Sequence, residues 1–178
     1  MHRVSVGLAL MLAACGPRET GGSAGFRAAA APIYSNAVFD VSRLDGNWVQ
    51  VAAFAGEGGG TCRTGGAETG GAEFARAATG IQVQYQLCLS GKTVAGQGAL
   101  ATTGPGRFAV TGKPGLRQDW WVLWVDEGYR TMAIGTPSGA FGFVLNRGAD
   151  MPQDRLNAAR EVFDFNGYAN ENLRVFNK

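Results

Sequence analysis

The cleanest hydrophobic pattern in the chain is Ile81-Gln82-Val83-Gln84-Tyr85-Gln86-Leu87-Cys88-Leu89, apolar at every odd position and glutamine at three of the four even ones. A period of two is that of a strand with one face in a core. It predicts Ile81, Val83, Tyr85 and Leu87 pointing inward and Cys88 outward. Upstream, Leu44-Asp45-Gly46-Asn47-Trp48-Val49-Gln50-Val51-Ala52 passes from a turn into a strand with Trp48 at its first inward position. Strict alternation would place Trp48, Gln50, Ala52 and Phe54 on one face and Val49, Val51 and Ala53 on the other, and both faces are largely apolar. Such a strand fits a barrel wall with a core or cavity inside and a helix over part of the outside.

The remaining pattern predicts more strands at short spacing. Glu73 to Ala77 is a weak one. Thr93 to Thr102 is unusually small, with Gly96, Gly98, Ala99 and Ala101. A strand follows through Phe108 and Val110, then Asp119 to Val125 with Trp120, Trp121 and Trp124, Tyr129 to Gly135, and Ala140 to Arg147. Turns at Ser90-Gly91-Lys92, Pro105-Gly106, Lys113-Pro114-Gly115, Asp126-Glu127-Gly128 and Thr136-Pro137-Ser138-Gly139 separate them. Asp150 followed by Gln153 reads as a capping box, and Leu156, Ala159 and Phe163 recur at helical spacing, so one amphipathic helix should end before Gly167. Asn172 to Asn177 can add a short strand. The sum is eight strands and then one helix, an all-β, antiparallel, up-and-down barrel. Between the first two strands, half the residues of Gly56 to Gly71 are glycine, which fits neither strand nor helix and reads as a loop.

At 178 residues the chain fits one domain, here Phe39 to Lys178. A formal net charge of +2 with no basic cluster excludes the usual nucleic-acid footprint. His2 is the only histidine. It lies in a segment read as cleaved, so the usual catalytic triads, histidine bases and histidine-held zinc or haem are excluded. No cofactor, no metal and no enzymatic activity are expected, and a monomer is the expected state. An acid such as Glu73 or Asp119 acting on a bound lipid is the enzymatic alternative.

Arg3 precedes an apolar run from Val4 to Ala14, too short to span a bilayer and of signal-peptide length. Its end, Leu12-Ala13-Ala14-Cys15, resembles the lipobox of bacterial lipoproteins, so residues 1–14 are read as a signal peptide and Cys15 as the lipidation site. An ordinary secretory peptide with a chance cysteine is the alternative. Gly16 after the cysteine implies, by the same resemblance, the outer membrane of a Gram-negative cell, with the protein facing the periplasm. Residues 15–38, rich in Gly, Ala and Ser, read as a flexible tether. In that oxidising compartment Cys62 and Cys88 are expected to form a disulfide, two buried free thiols being the alternative.

Three separated motifs carry a further likeness. Gly46-Asn47-Trp48 resembles the Gly-x-Trp that opens the first strand of lipocalins, Asp126-Glu127-Gly128-Tyr129-Arg130 resembles their Asp-x-x-Tyr segment, and Asn146-Arg147 resembles the arginine that closes their eighth strand. Gly46, Trp48, Asp126, Tyr129 and Arg147 are therefore expected to be structural, with Arg147 lying over Trp48 at the closed end. The resemblance, closest to the bacterial outer-membrane lipoproteins of the family, implies binding or transport of a fatty acid or lysophospholipid in the barrel. The small residues of Thr93 to Thr102 independently predict a partly unfilled interior. Phe54, Val83, Tyr85 and Trp121 are the candidate cavity lining, with plain core packing the alternative for each. The rival function is a filled-barrel envelope lipoprotein that binds protein or serves a structural role.

Overall fold

The computed structural model describes residues 25–56, 62, 70–112 and 119–176. Its strands in order are β1 (Gly46–Phe54), β2 (Gly71–Ala77), β3 (Gly80–Leu89), β4 (Lys92–Gly104), β5 (Arg107–Gly112), β6 (Asp119–Val125), β7 (Thr131–Gly135) and β8 (Gly142–Asn146), followed by helix α1 (Gln153–Phe165) and a short β9 (Leu173–Val175). Each strand pairs with the next, and β1 pairs with both β8 and β2, which closes an antiparallel barrel; β9 adds to β1. The all-β barrel with a trailing helix is thus the architecture the pattern predicts. The proposed signal segment, Cys15, the turn at Lys113-Pro114-Gly115 and most of the glycine-rich loop lie outside the described residues.

Two bulges set which side chains reach the interior. In β1 the register runs Gln50↔Leu145 and then Ala52↔Val144, so Val51 is an extra residue. A bulge of this kind reverses the alternation beyond it. Trp48 packs inside with Ala53, while Ala52 and Phe54 turn outward against the helix. Strict alternation would have put Phe54 beside Trp48. In β6 the register skips Leu123, between Val122↔Ile134 and Trp124↔Ala133. Trp120 and Val122 are inside, and Leu123, Trp121 and Trp124 belong to the outer cluster.

That outer cluster explains why β1 is apolar on both faces. Leu156, Ala159 and Phe163 of α1 are buried. Phe163 and Tyr168 sit 4.8 and 4.9 Å, ring to ring, from Phe54. Arg155 ties the helix to the barrel, donating to Thr131 Oγ1 at 2.7 Å and Asn146 Oδ1 at 3.1 Å. The expected capping box does not form. The N-cap is Pro152, with no side-chain bond, and Asp150 lies before it, its carbonyl accepting from the Asn146 carboxamide.

The folded unit also begins earlier than Phe39. Residues of the expected tether run along the outside of the barrel as a strap. The Phe26 N–H donates to the Gly139 carbonyl (2.7 Å), Ala28 to Gly167 (2.9 Å) and Asn36 to Val122 (2.7 Å). The buried Arg27 donates to the carbonyls of Asn166 (3.1 Å), Pro137 (2.8 Å) and Ala31. Small side chains read as a tether because they carry no periodic pattern, yet these contacts are made by backbone groups and one arginine.

Candidate functional site

The barrel has two ends of different construction. At the first, Gly46 has φ +99°, a conformation glycine adopts without strain, and this delivers Trp48 into the interior. The Arg147 guanidinium lies 3.9 Å from the centre of the Trp48 ring and donates to the carbonyls of Asp45 (2.7 Å) and Arg43 (3.0 Å). Such a cation–π contact contributes about 0.5 to 2 kcal/mol. The Trp48 indole N–H donates to the Leu44 carbonyl at 2.9 Å. Tyr129 holds φ +53°; its ring receives Arg43 at 4.0 Å, and its hydroxyl accepts from the Asp40 N–H at 2.6 Å. Burial pushes the Asp126 carboxyl up, but the N–H groups of Thr131 and Arg130, both at 2.6 Å, and the Arg130 guanidinium outweigh it and hold it below the ordinary value. All five residues expected to be structural meet at this sealed floor.

At the other end β2 stops short of the top of β3. β1 loses β2 as its edge partner after Val49 and takes β9 from Ala52 onward. Cys88 of β3 is thereby left beyond the last β2 pairing, at Gln86. Gln50, 0 % exposed, fills the gap with its carboxamide: it accepts from the Cys88 N–H at 2.7 Å and donates to the Cys88 carbonyl at 2.9 Å. Cys88 is also bonded to Cys62, the expected disulfide. Across the rim, the Ser90 hydroxyl donates to the Ala140 carbonyl, joining the β3–β4 and β7–β8 turns. A glutamine inside an apolar run was the sequence signal for this contact.

Between the two ends the described inward side chains pack against one another. Positions 83, 85 and 87 of β3 face 98, 96 and 94 of β4, so both Gly96 and Gly98 present bare backbone inward. Tyr85 lies over Gly96; a Cβ there would sit 2.7 Å from Tyr85 Cζ and closer still to the hydroxyl. The wall is bare because a neighbouring ring occupies the space. Burial raises the Tyr85 pKa, so the phenol stays neutral. Tyr85 meets Trp120 edge-on at 5.5 Å, and Trp120 meets Phe143 at 5.4 Å. Trp120 is 1 % exposed, and its Nε1 has no hydrogen-bond partner among the described residues. A small void lined by Leu44, Phe74, Leu100, Phe108, Trp120, Val122, Met132 and Ile134 leaves ≈ 10 Å³ for a water-sized sphere, about enough for one water. A larger open groove, ≈ 610 Å³, runs along exposed polar positions of β2 to β5 and includes Glu73, Gln82, Gln84 and Gln97.

Of the candidate lining residues, Val83 and Tyr85 belong to the inner cluster. Phe54 does not, because of the β1 bulge, and Trp121 does not either. Trp121 is on the outer face beneath the Arg107 guanidinium, 4.0 Å from its ring centre, and its neighbour Trp120 occupies the inner position. The exposed Asp119 carries the signal for this phase, since a charged residue outward sets Trp120 and Val122 inward.

Known proteins agree with this geometry. The chain superposes on a bovine lipocalin allergen, Bos d 2, with TM-score 0.54, 15% identity, 78% of this chain covered and 95% of that one. It superposes on the cockroach allergen Per a 4 with TM-score 0.59, 10% identity, and coverage of 83% and 94%. Lobster apocrustacyanin A1 gives TM-score 0.56, 9% identity, and coverage of 83% and 91%. No curated protein sequence matches the chain. The sequence model of the lipocalin-like domain matches residues 39–178, from just before the Trp48 floor to the last strand, and the chain belongs to that family.

Proposed function

We propose that this protein binds a small hydrophobic ligand of the fatty-acid or lysophospholipid class inside the barrel, against the wall at Gly96 and Gly98, with Tyr85 moving aside to admit it. The single observation that carries the reading is that wall: two inward glycines on one strand, covered at Gly96 by one movable ring rather than by side chains of their own. Apolar burial drives entry at roughly 25 cal/mol per Å². Trp120 Nε1, a buried donor with no partner among the described residues, suits a ligand whose head group carries an acceptor such as a carboxylate or ester carbonyl.

The same reading places the protein on the outer membrane of a Gram-negative cell, facing the periplasm and held by lipid on Cys15. The support is the segment Leu12-Ala13-Ala14-Cys15. A single acyl chain binds only weakly, so multiple acyl chains or a second contact are needed for stable anchoring. The ring contacts of Trp120 with Tyr85 and Phe143 favour the second reading, a filled-barrel envelope protein. Titration with oleate and lysophosphatidylcholine, followed by tryptophan emission and native mass spectrometry, separates the two. Binding with an emission change that survives Trp121→Phe and disappears in Trp120→Phe supports the carrier. No bound lipid and no emission change would favour the filled barrel.

A further inference from the structure

The strap and the helix C-terminus together mark one corner of the molecule. Gly25, the first residue described, precedes the Phe26 N–H bond to Gly139 in the β7–β8 turn, at the end of the barrel opposite the Trp48 floor. Arg27 clamps it there through Pro137 and Asn166. Helix α1 starts near the floor, where Arg155 reaches Thr131 and Asn146, and ends beside this clamp. Its last residue, Phe165, is 71 % exposed and meets the ring of Tyr34 of the strap, itself 52 % exposed, at 5.6 Å in a tilted contact. An exposed tyrosine favours the membrane–water interface, and an exposed phenylalanine beside it can enter the head-group boundary.

We infer that this corner, Gly25 with the Tyr34–Phe165 pair, is the membrane-contacting surface, so that the rim bearing the β3–β4 and β7–β8 turns faces the bilayer and the Trp48 floor faces away. The inference rests on the lipid anchor at Cys15 proposed above. Ten residue steps separate Cys15 from Gly25, a reach of at most about 35 Å when fully extended. An anchored chain therefore keeps Gly25 within that limit of the lipid head groups, at roughly 15 to 20 Å on average for a flexible segment of this length, and the aromatic pair selects which face is turned to them. A ligand entering past Ser90 and Ala140 would then come directly from the bilayer, without crossing bulk water.

The full chain, expressed in a Gram-negative envelope and reconstituted in phosphatidylethanolamine–phosphatidylglycerol nanodiscs carrying a head-group nitroxide, tests this by amide spectroscopy. Amide signals of Ser138 and Phe165 are expected to be lost, while those of Gly80 and Glu127, in the floor turns, are retained. The double substitution Tyr34→Ser/Phe165→Ser, at exposed positions, keeps the anchor and is expected to weaken the loss at Ser138 with the floor signals unchanged; an undiminished loss at Ser138 would overturn the contact by the aromatic pair. Uniform or reversed loss in a chain whose Cys15 peptide carries the acyl mass would overturn the orientation and leave the anchor standing. An unmodified Cys15 peptide would overturn the anchor and the orientation with it.

Discussion

The two ends of the barrel are closed by different physics. The Trp48 floor gathers its contacts around one ring: Asp126 to Arg130 and Thr131 and Trp48 to Leu44 bond within four or five residues, and Arg147, arriving from the far end of the chain, bonds Asp45 and Arg43 and covers Trp48. The rim is held by contacts between distant elements: Gln50 to Cys88, Ser90 to Ala140, Arg27 to Pro137, Tyr168 to Thr136 and Phe141. A floor built from one tryptophan cannot lose it and remain closed. A rim stitched from separate hydrogen bonds can lose one stitch at a time, which is what a site that opens requires.

The sharpest way to break the comparison is therefore Trp48→Ala. It removes a fully buried ring and leaves Arg147 without its partner, and it is expected to cost about 3 to 5 kcal/mol in denaturant unfolding. At the rim, Gln50→Ala leaves the buried N–H and carbonyl of Cys88 without partners, an expected cost of about 2 to 4 kcal/mol. Amide exchange separates them: the first change is expected to raise exchange throughout the barrel, the second chiefly at the tops of β1 and β3.

pH divides the ends as well. Tyr168 is buried, its hydroxyl accepts from the Thr136 N–H at 2.9 Å, and burial pushes its pKa up to about 12. A raised folded value means stability fully present below the unfolded pKa near 10 and lost as pH rises through about 12, a loss of roughly 2 to 3 kcal/mol. Asp126 runs the other way. Its carboxyl is held below the ordinary value, so its contribution is present above the unfolded pKa near 3.9 and lost as pH falls. Alkali is thus expected to loosen the rim first and acid the floor. Tyr168→Phe should flatten the alkaline limb of an unfolding profile, and Asp126→Asn the acid limb.

This division also explains what the sequence disclosed. The floor motifs are local, so Gly46, Trp48, Asp126, Tyr129 and Arg147 could be named from spacing and resemblance before any fold was known. Strand order, the helix and the inward set of β3 followed from periodicity. Phe54 and Trp121 were misplaced for a physical reason: a strand's phase is lost wherever a bulge inserts a residue or an adjacent pair of tryptophans offers two equally apolar phases. The glycines of β4 predicted an empty wall, whereas Tyr85 of the adjacent strand covers Gly96, a pairing that no local window contains. Arg27 was hidden in a segment with no pattern at all.

Tyr85 separates a cavity lining from a plug by the sign of one measurement. If its ring merely contacts the ligand, Tyr85→Ala removes favourable contact and weakens binding. If the ring occupies the ligand's place above Gly96, binding must first displace it, and the apparent affinity is reduced by the population of the displaced state. Removing the ring removes that penalty, so Tyr85→Ala is expected to tighten oleate binding about tenfold, equivalent to about 1.4 kcal/mol, while lowering unfolding stability by the loss of its packing on Trp120. Tyr85→Phe keeps the ring and is expected to bind as the unaltered protein does. Tighter binding in the less stable variant would identify the rim side of the interior as a site the protein fills with its own side chain until a ligand arrives; weaker binding in Tyr85→Ala would make Tyr85 part of the wall.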